Sequence, residues 1–168
     1  REPPPVGHGP GYLDVSPLGI VKYTVFFLLI ALMAGSHLFA SESPLRWLLL
    51  WPILTSITLS MAYALNQPYL VAGKQPTGHL NPLLLFVNLP WLLLTWTVFA
   101  IQMYLSKESP ANLIYGTNIY IGRYPSENSL PDYDLVIDLT SEFPGRRPQS
   151  RSGMSPDSYL CFPNLDGV

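Results

Sequence analysis

Between Leu18 and Met103 the chain carries only four charged residues, Lys22, Glu42, Arg46 and Lys74. A soluble fold of 168 residues cannot hide an apolar stretch of that length, because small folds bury only about 60–70% of their surface. A bilayer can. Charged residues make up 12% of the chain, against about 25% in ordinary soluble domains, and they become frequent only after Met103. The chain therefore divides into a membrane part and a soluble part, and the lipid bilayer is its first expected partner. The net charge is −2, with no basic stripe, so nucleic acid is not an expected partner. Cys161 is the single cysteine and can form no internal disulfide. The chain begins with Arg1 and nothing closes a fold at Val168, so a piece of a longer protein is expected.

Residues 1–17 are rich in Pro and Gly and read as a linker. Three apolar runs follow, about 18–40, 45–65 and 82–104, each near the roughly 20 residues that a transmembrane helix needs. A signal peptide ending near Ala40 is the rival for the first, but the run exceeds an h-region of about 7–15 residues and a long polar leader precedes it. Lys22 can snorkel to the headgroups from the first turn. Ser43-Pro44 is a helix-start signal. Pro52 lies inside the second run, where it is expected to kink the span, and Pro90 lies inside the third. Ser56, Ser60 and Ala64 form a small-residue stripe suited to close helix packing. Trp91 and Trp96 lie near the middle of the third run, where packing against the other helices is expected, and Trp47, Tyr69 and Tyr104 stand near span ends as interfacial anchors. Few ionisable residues fall within the spans, which argues against an ion or substrate path and so against a transporter.

Beyond Lys107 the pattern is that of a soluble domain. Asn118–Gly122 reads as a short strand. Asp134–Leu139 is a continuous apolar run bounded by polar residues, as in a strand buried on both faces of a parallel sheet. Tyr159–Phe162 reads as a third strand, after a Pro- and Ser-rich loop carrying Arg146, Arg147 and Arg151. Strands so spaced open an α/β or α+β domain.

Three pieces of this part, in order, resemble the N-terminal half of the dual-specificity phosphatase domain, a branch of the cysteine-dependent protein tyrosine phosphatases. Asn118-Ile-Tyr-Ile-Gly-Arg-Tyr-Pro125 is similar to that family's opening strand. Asp134-Leu-Val-Ile-Asp-Leu-Thr-Ser-Glu-Phe143 is similar to its central strand. Tyr159-Leu-Cys-Phe-Pro-Asn-Leu-Asp166 is similar to the strand leading into its aspartate loop. Bacterial phosphatases of this type with a membrane N-terminus also look similar around Gly73-Lys74…Gly78 and the following span. The resemblance implies a fold of three transmembrane helices followed by the start of an α/β phosphatase-like domain over 113–168. The family's defining Cys-x5-Arg loop is absent and would follow Val168. There a thiolate attacks phosphorus while backbone amides and the arginine hold the phosphoryl oxygens.

Asp166 stands at the family's general-acid position, seven residues past Tyr159, and the resemblance makes it the candidate catalytic residue; a turn aspartate before Gly167 is the plainer alternative. Cys161 is not expected to be a nucleophile: the sixth residue after it is Gly167, not Arg, and it falls on a strand where cysteine is commonly a small apolar filler. By the resemblance Asp138 is structural, capping the loop after its strand. The three arginines could draw anionic substrate or headgroups, or simply be solvated. Gln75-Pro76-Thr77-Gly78-His79 resembles a motif of membrane acid phosphatases, but the companion motifs are missing. His8 and His37 lack partners at metal spacing, so no metal and no cofactor are expected.

The expected function of the whole protein is that of a membrane-anchored phosphatase, hydrolysing phosphate monoesters on a phosphoprotein or phospholipid through a phosphocysteine. The alternative is a catalytically dead, membrane-tethered phosphate- or protein-binding module. The resemblance places the protein in a bacterial inner membrane with the C-terminal domain cytoplasmic. Three spans would then put Arg46 and Lys107 on the cytoplasmic face and Lys22 and Lys74 on the other, a tie by the positive-inside count.

Overall fold

In the computed structural model of the chain the described residues are 17–106, 109, 111–124, 134–145 and 159–165. Residues 1–16 of the expected linker, Arg146, Arg147 and Arg151 of the basic loop, and Asp166 lie outside them.

The described part is mostly helical, with two small sheets. Helix α1 runs Pro17–Ala40, 24 residues, or about 36 Å at ~1.5 Å per residue. Ser43 then starts the return: its Oγ accepts from the Leu45 N–H at 3.3 Å and Pro44 takes the first helical position. The segment expected as one helix over 45–65 opens as a 3-10 helix, Pro44–Leu49, and continues as α2, Leu50–Ala64. Pro52 falls in the first turn of α2, where an N–H is not needed for the α ladder. It therefore marks a change of helix type near the start of the segment rather than a kink in its middle. Leu18–Ala40 and Pro44–Ala64, 23 and 21 residues, are long and apolar enough to cross a membrane.

These two helices form a hairpin. Ser56 and Ser60 of the small-residue stripe are buried, whereas Ala64 is exposed. Close approach at the serines lets Ser60 Oγ donate to the Thr24 carbonyl of α1 at 3.0 Å. Above it Tyr23 stacks on Tyr63 with centroids 4.9 Å apart, and Phe27 meets Trp91 edge-on at 5.1 Å. Phe27, Leu59, Ala62, Tyr63, Val71 and Leu92 share one buried cluster with Leu165, from the far end of the chain.

The run expected as a single span over 82–104 is broken. Helix α3, Tyr69–Ala72, ends on Gly73 in the left-handed region at φ 64°. Asn81 caps α4, Pro82–Val87, by accepting from the N–H groups of Leu83 and Leu84. The chain turns at Asn88 into α5, Leu89–Leu105. Pro90 has no N–H to offer the Phe86 carbonyl, and the freed acceptors are taken up by α2: Trp51 Nε1 donates to Phe86 O at 3.0 Å and Thr55 Oγ1 to Val87 O at 2.7 Å. Asn88 Nδ2 holds the break against α3, 2.8 Å from the carbonyls of Leu70 and Val71. Helix α5 has 17 residues, about 25 Å, short of a hydrocarbon core of about 30 Å.

The strands are shorter than their sequence pattern. β1, Ala111–Leu113, pairs antiparallel with β2, Tyr120–Gly122, around a turn with Gly116 at φ 78°. β3, Val136–Asp138, pairs parallel with β4, Tyr159–Cys161, with Asp138 opposite Cys161. Strand β1 was not legible, since Ala-Asn-Leu has no β-branched or aromatic residue.

The strands dock on the helices. Trp91 and Trp96 both pack against the helical core, as expected, and Trp96 Nε1 in addition donates to the Glu142 carbonyl at 3.1 Å. Phe99 lies 4.9 Å from Phe143. The 66–81 connection, which three spans would place across the membrane from the strands, is in direct contact with them: Lys74 Nζ lies 2.7 Å from Asp138 Oδ2. No ion pair bridges a hydrocarbon layer of about 30 Å.

Candidate functional site at the helix–strand junction

Lys74 and Asp138 form the centre of the junction, with side chains 0% and 8% exposed. Lys74 follows the left-handed Gly73, which turns the chain out of α3 toward the strands; Asp138 ends β3. The ammonium donates to Asp138 Oδ2, to the Thr140 carbonyl and to Thr140 Oγ1, at 2.7, 2.8 and 2.8 Å. A lysine has three donors, and all are used. The carboxylate is equally filled. Oδ2 also accepts from the Tyr159 hydroxyl at 2.6 Å, and Oδ1 from the Thr140 N–H and hydroxyl at 2.9 and 2.8 Å.

Two glycines bring the backbones together beside this network. The Gly145 N–H donates to the Gly78 carbonyl at 2.7 Å. Gly78 holds φ 84°, and a Cβ on Gly145 would meet the Gly78 Cα at 2.6 Å and the Tyr159 ring. On the outer side Tyr124 stacks on Phe143 at 4.6 Å, and its hydroxyl donates to the Pro144 carbonyl at 2.9 Å. The loop after β3 is thus gripped from β4, from the 66–81 connection, from α5 and from the turn after β2.

Burial works against ionisation of Asp138, but the hydrogen bonds from Lys74, Tyr159 and Thr140 outweigh it and hold its pKa below the ordinary carboxylate value. Tyr159 is pushed the other way, well above the usual phenol range, by burial first and then by its bond to the charged Asp138. A phenol that stays neutral while donating to a carboxylate that stays charged is a fixed hydrogen bond, not a proton relay.

The chemistry available here is accordingly structural. No donor of Lys74 and neither oxygen of Asp138 is left to engage a substrate, and each would lose a buried partner if it did. Asp138 performs the expected capping through the Thr140 N–H, and also anchors the helices, a role its sequence context did not reveal. Cys161 is half-buried opposite Asp138 on β4. Among the described residues no group of three His, Cys, Asp or Glu could hold a metal ion. Asp166 lies outside the described residues, but its neighbour Leu165 is 2% exposed within the helical core, which fixes the chain just before it. Sequence reasoning missed Lys74, Tyr159 and Gly145 as junction residues; the one available signal was Lys74, a lone charge in an otherwise uncharged connection. No protein-family model, curated protein or solved structure matches the chain.

Proposed function

We propose that the chain is the membrane anchor and opening strands of a cysteine-dependent phosphatase of the dual-specificity type. It would hydrolyse phosphate monoesters, on phosphoproteins or phospholipid headgroups, through a phosphocysteine formed on a Cys-x5-Arg loop that follows Val168. The hairpin of α1 and α2 anchors it in the bilayer, and Asp166 serves as general acid. One observation carries the reading: β3 and β4 pair in parallel, with the Asp-Leu-Thr-Ser-Glu segment leaving β3 and Asn-Leu-Asp leaving β4. A parallel pair needs a crossover connection and belongs to α/β architecture. Loops leaving the same ends of parallel strands are where such folds gather their catalytic groups.

The test is expression of the same reading frame beyond Val168, followed by assay with an aryl phosphate. A Cys-x5-Arg segment, with turnover abolished by Cys→Ser there, supports the enzyme. A longer chain without that segment, and without turnover, leaves the tethered binding module instead.

A further inference from the structure

We propose that α4 and the first half of α5 form a re-entrant hairpin, which dips into the bilayer from the strand side, turns at Asn88 inside the hydrocarbon and returns to the same side. This rests on the membrane-hairpin reading of α1 and α2 above but not on the phosphatase chemistry. Tyr23 and Tyr63 stack near the ends of the two spanning helices, with Lys22 Nζ 5.6 Å from the Tyr23 ring. An aromatic pair with a lysine beside it marks the headgroup level of that face. The 66–81 connection follows α2 there, and its Lys74 and Gly78 hold the loop after β3.

Contacts along α2 trace the path. Phe86 of α4 stacks on Trp51, and Val87 meets Thr55. Thr55 lies about 12 Å along α2 from Tyr63, so α4 ends well below the headgroups. Past Asn88 the direction reverses. Trp91 meets Phe27, which in turn faces Tyr63. Trp96 then donates to Glu142, in the loop that Lys74 and Gly78 also hold. Helix α5 therefore runs in the same direction as α2, and Trp96, about 12 Å along it from Asn88, regains the level of Tyr63. A third crossing needs α5 to run against α2 and to carry Trp96 away from this loop.

The turn suits a place without water. Non-helical backbone at membrane depth is tolerated only where protein satisfies it. All four carbonyls of α3 have protein donors: the Gly73 N–H for Tyr69, the Asn88 side-chain amide for Leu70 and Val71, and the Asn81 N–H for Ala72. Trp51 and Thr55 serve Phe86 and Val87 across the break, and Asn88 is 0% exposed. The outer side of the dip is apolar: Leu83, Phe86, Leu93 and Leu94 are exposed, and residues 75–106 contain no Asp, Glu, Lys or Arg. Acyl chains cover these four, because the segment packs at the middle depth of α2. The strands are thus held to the bilayer by a wedge with Lys74 before its entry and Trp96 at its exit.

The experiment uses the full chain in vesicles of phosphatidylethanolamine and phosphatidylglycerol, with Cys161→Ala and single cysteines introduced as Glu42→Cys, Thr77→Cys or Ser109→Cys. A membrane-impermeant maleimide is applied from one side, and detergent then exposes every position as the control. Positions 77 and 109 are expected to label together, and 42 only from the other side. Spin labels at Phe86→Cys and Leu94→Cys should both collide with lipid-dissolved oxygen, the label at 86 lying deeper. A helix crossing over 82–104 has its midpoint near Leu94 and reverses that order. Labelling of 77 and 109 from opposite sides, with 42 opposite 77, overturns the re-entrant path and leaves the hairpin of α1 and α2 intact. Labelling of 42 and 77 from the same side overturns the hairpin as well. Spin labels open to an aqueous nickel chelate, or lying at equal depth, overturn the dip. If a cysteine variant folds poorly, a protease site inserted at 42, 77 or 109 reports the same sides.

Discussion

Lys74 Nζ sits 2.7 Å from Asp138 Oδ2, a contact between residues 64 apart in sequence that ties the connection after the helical hairpin to the end of β3. Both side chains are withdrawn from water. Such a pair contributes little net stability over a well-packed apolar pair, because desolvation offsets its attraction. What it supplies is placement: neither charge can be left alone, so the loop after β3 has one position on the helices.

Removing one partner should therefore cost far more than removing both. Lys74→Met leaves Asp138 charged and buried with only Thr140 and Tyr159, a loss of about 3–5 kcal/mol. Lys74→Met combined with Asp138→Leu should recover much of that loss. Denaturation followed by the fluorescence of Trp96, whose indole is bonded to Glu142, measures it. Additive losses in the double-mutant cycle would refute the coupling.

Acid should release the clamp in a defined window. The folded pKa of Asp138 lies below its ordinary value, so its contribution is present above the unfolded pKa of about 4 and is lost as pH falls through the lower folded value. Tyr159, with its pKa raised, has the opposite sign: its contribution holds below about pH 10 and declines above it. The junction should thus be insensitive to pH from 5 to 9. In Lys74→Met the acid transition should move upward, because burial then raises the Asp138 pKa with less to oppose it. A pH titration of the Trp96 signal in the two proteins checks the direction.

The helices were legible because long apolar runs and Ser-Pro starts are local signals. The break at Asn88 was not, although Pro90 was visible. What turns a proline into a full break is the set of donors on other helices, Trp51, Thr55 and Asn88 itself, that satisfy or redirect the freed groups. The positions of β2, β3 and β4 were legible from β-rich runs, whereas β1 and the short ladders were not, because pairing depends on partners distant in sequence. Lys74 was assigned to the face opposite the strands by counting spans. That count treated an apolar run of the right length as a crossing, and length does not reveal that the connection before the run touches the strands after it.

The donors at the break give a test of their own. Thr55→Val removes the hydroxyl that meets Val87 O, leaving a partly buried carbonyl without that donor, a cost of about 1 kcal/mol. Thr55→Ser keeps the donor and should stay within a few tenths of a kcal/mol of the parent protein. If both variants melt alike, the hydroxyl is not what stabilises the turn at Asn88.

Gly145→Ala should behave differently from an ordinary loop change. The added Cβ would approach the Gly78 Cα at 2.6 Å and the Tyr159 Cζ at 2.8 Å, and two backbones must move apart to admit it. The Gly145–Gly78 hydrogen bond is lost and Tyr159 is pushed off Asp138. Destabilisation of a few kcal/mol, as for other overpacked sites, is expected, with amide exchange at Gly145 accelerated. Unchanged exchange there would show that the 66–81 connection is not gripping the loop.

The last prediction concerns Asp166 in the protein extended beyond Val168. If it is the general acid, Asp166→Asn keeps the size and turn preference but removes the proton that the leaving oxygen needs. Turnover of substrates with poor leaving groups should fall by about 10²–10⁴-fold while substrate still binds. The loss should shrink for leaving groups that depart without protonation, and the basic limb of the pH profile should flatten. Asp138→Asn should instead lower stability, with turnover per folded molecule nearly unchanged, because Asp138 is committed to Lys74, Thr140 and Tyr159. Cys161→Ala should leave turnover intact. Leu165 is buried among the helices and directly precedes Asp166 in sequence, so Leu165→Ala should reduce kcat more than KM by loosening the chain before the aspartate. If Asp166→Asn turns over poor leaving groups at the parent rate, the aspartate is a turn residue and the acid lies in a later segment.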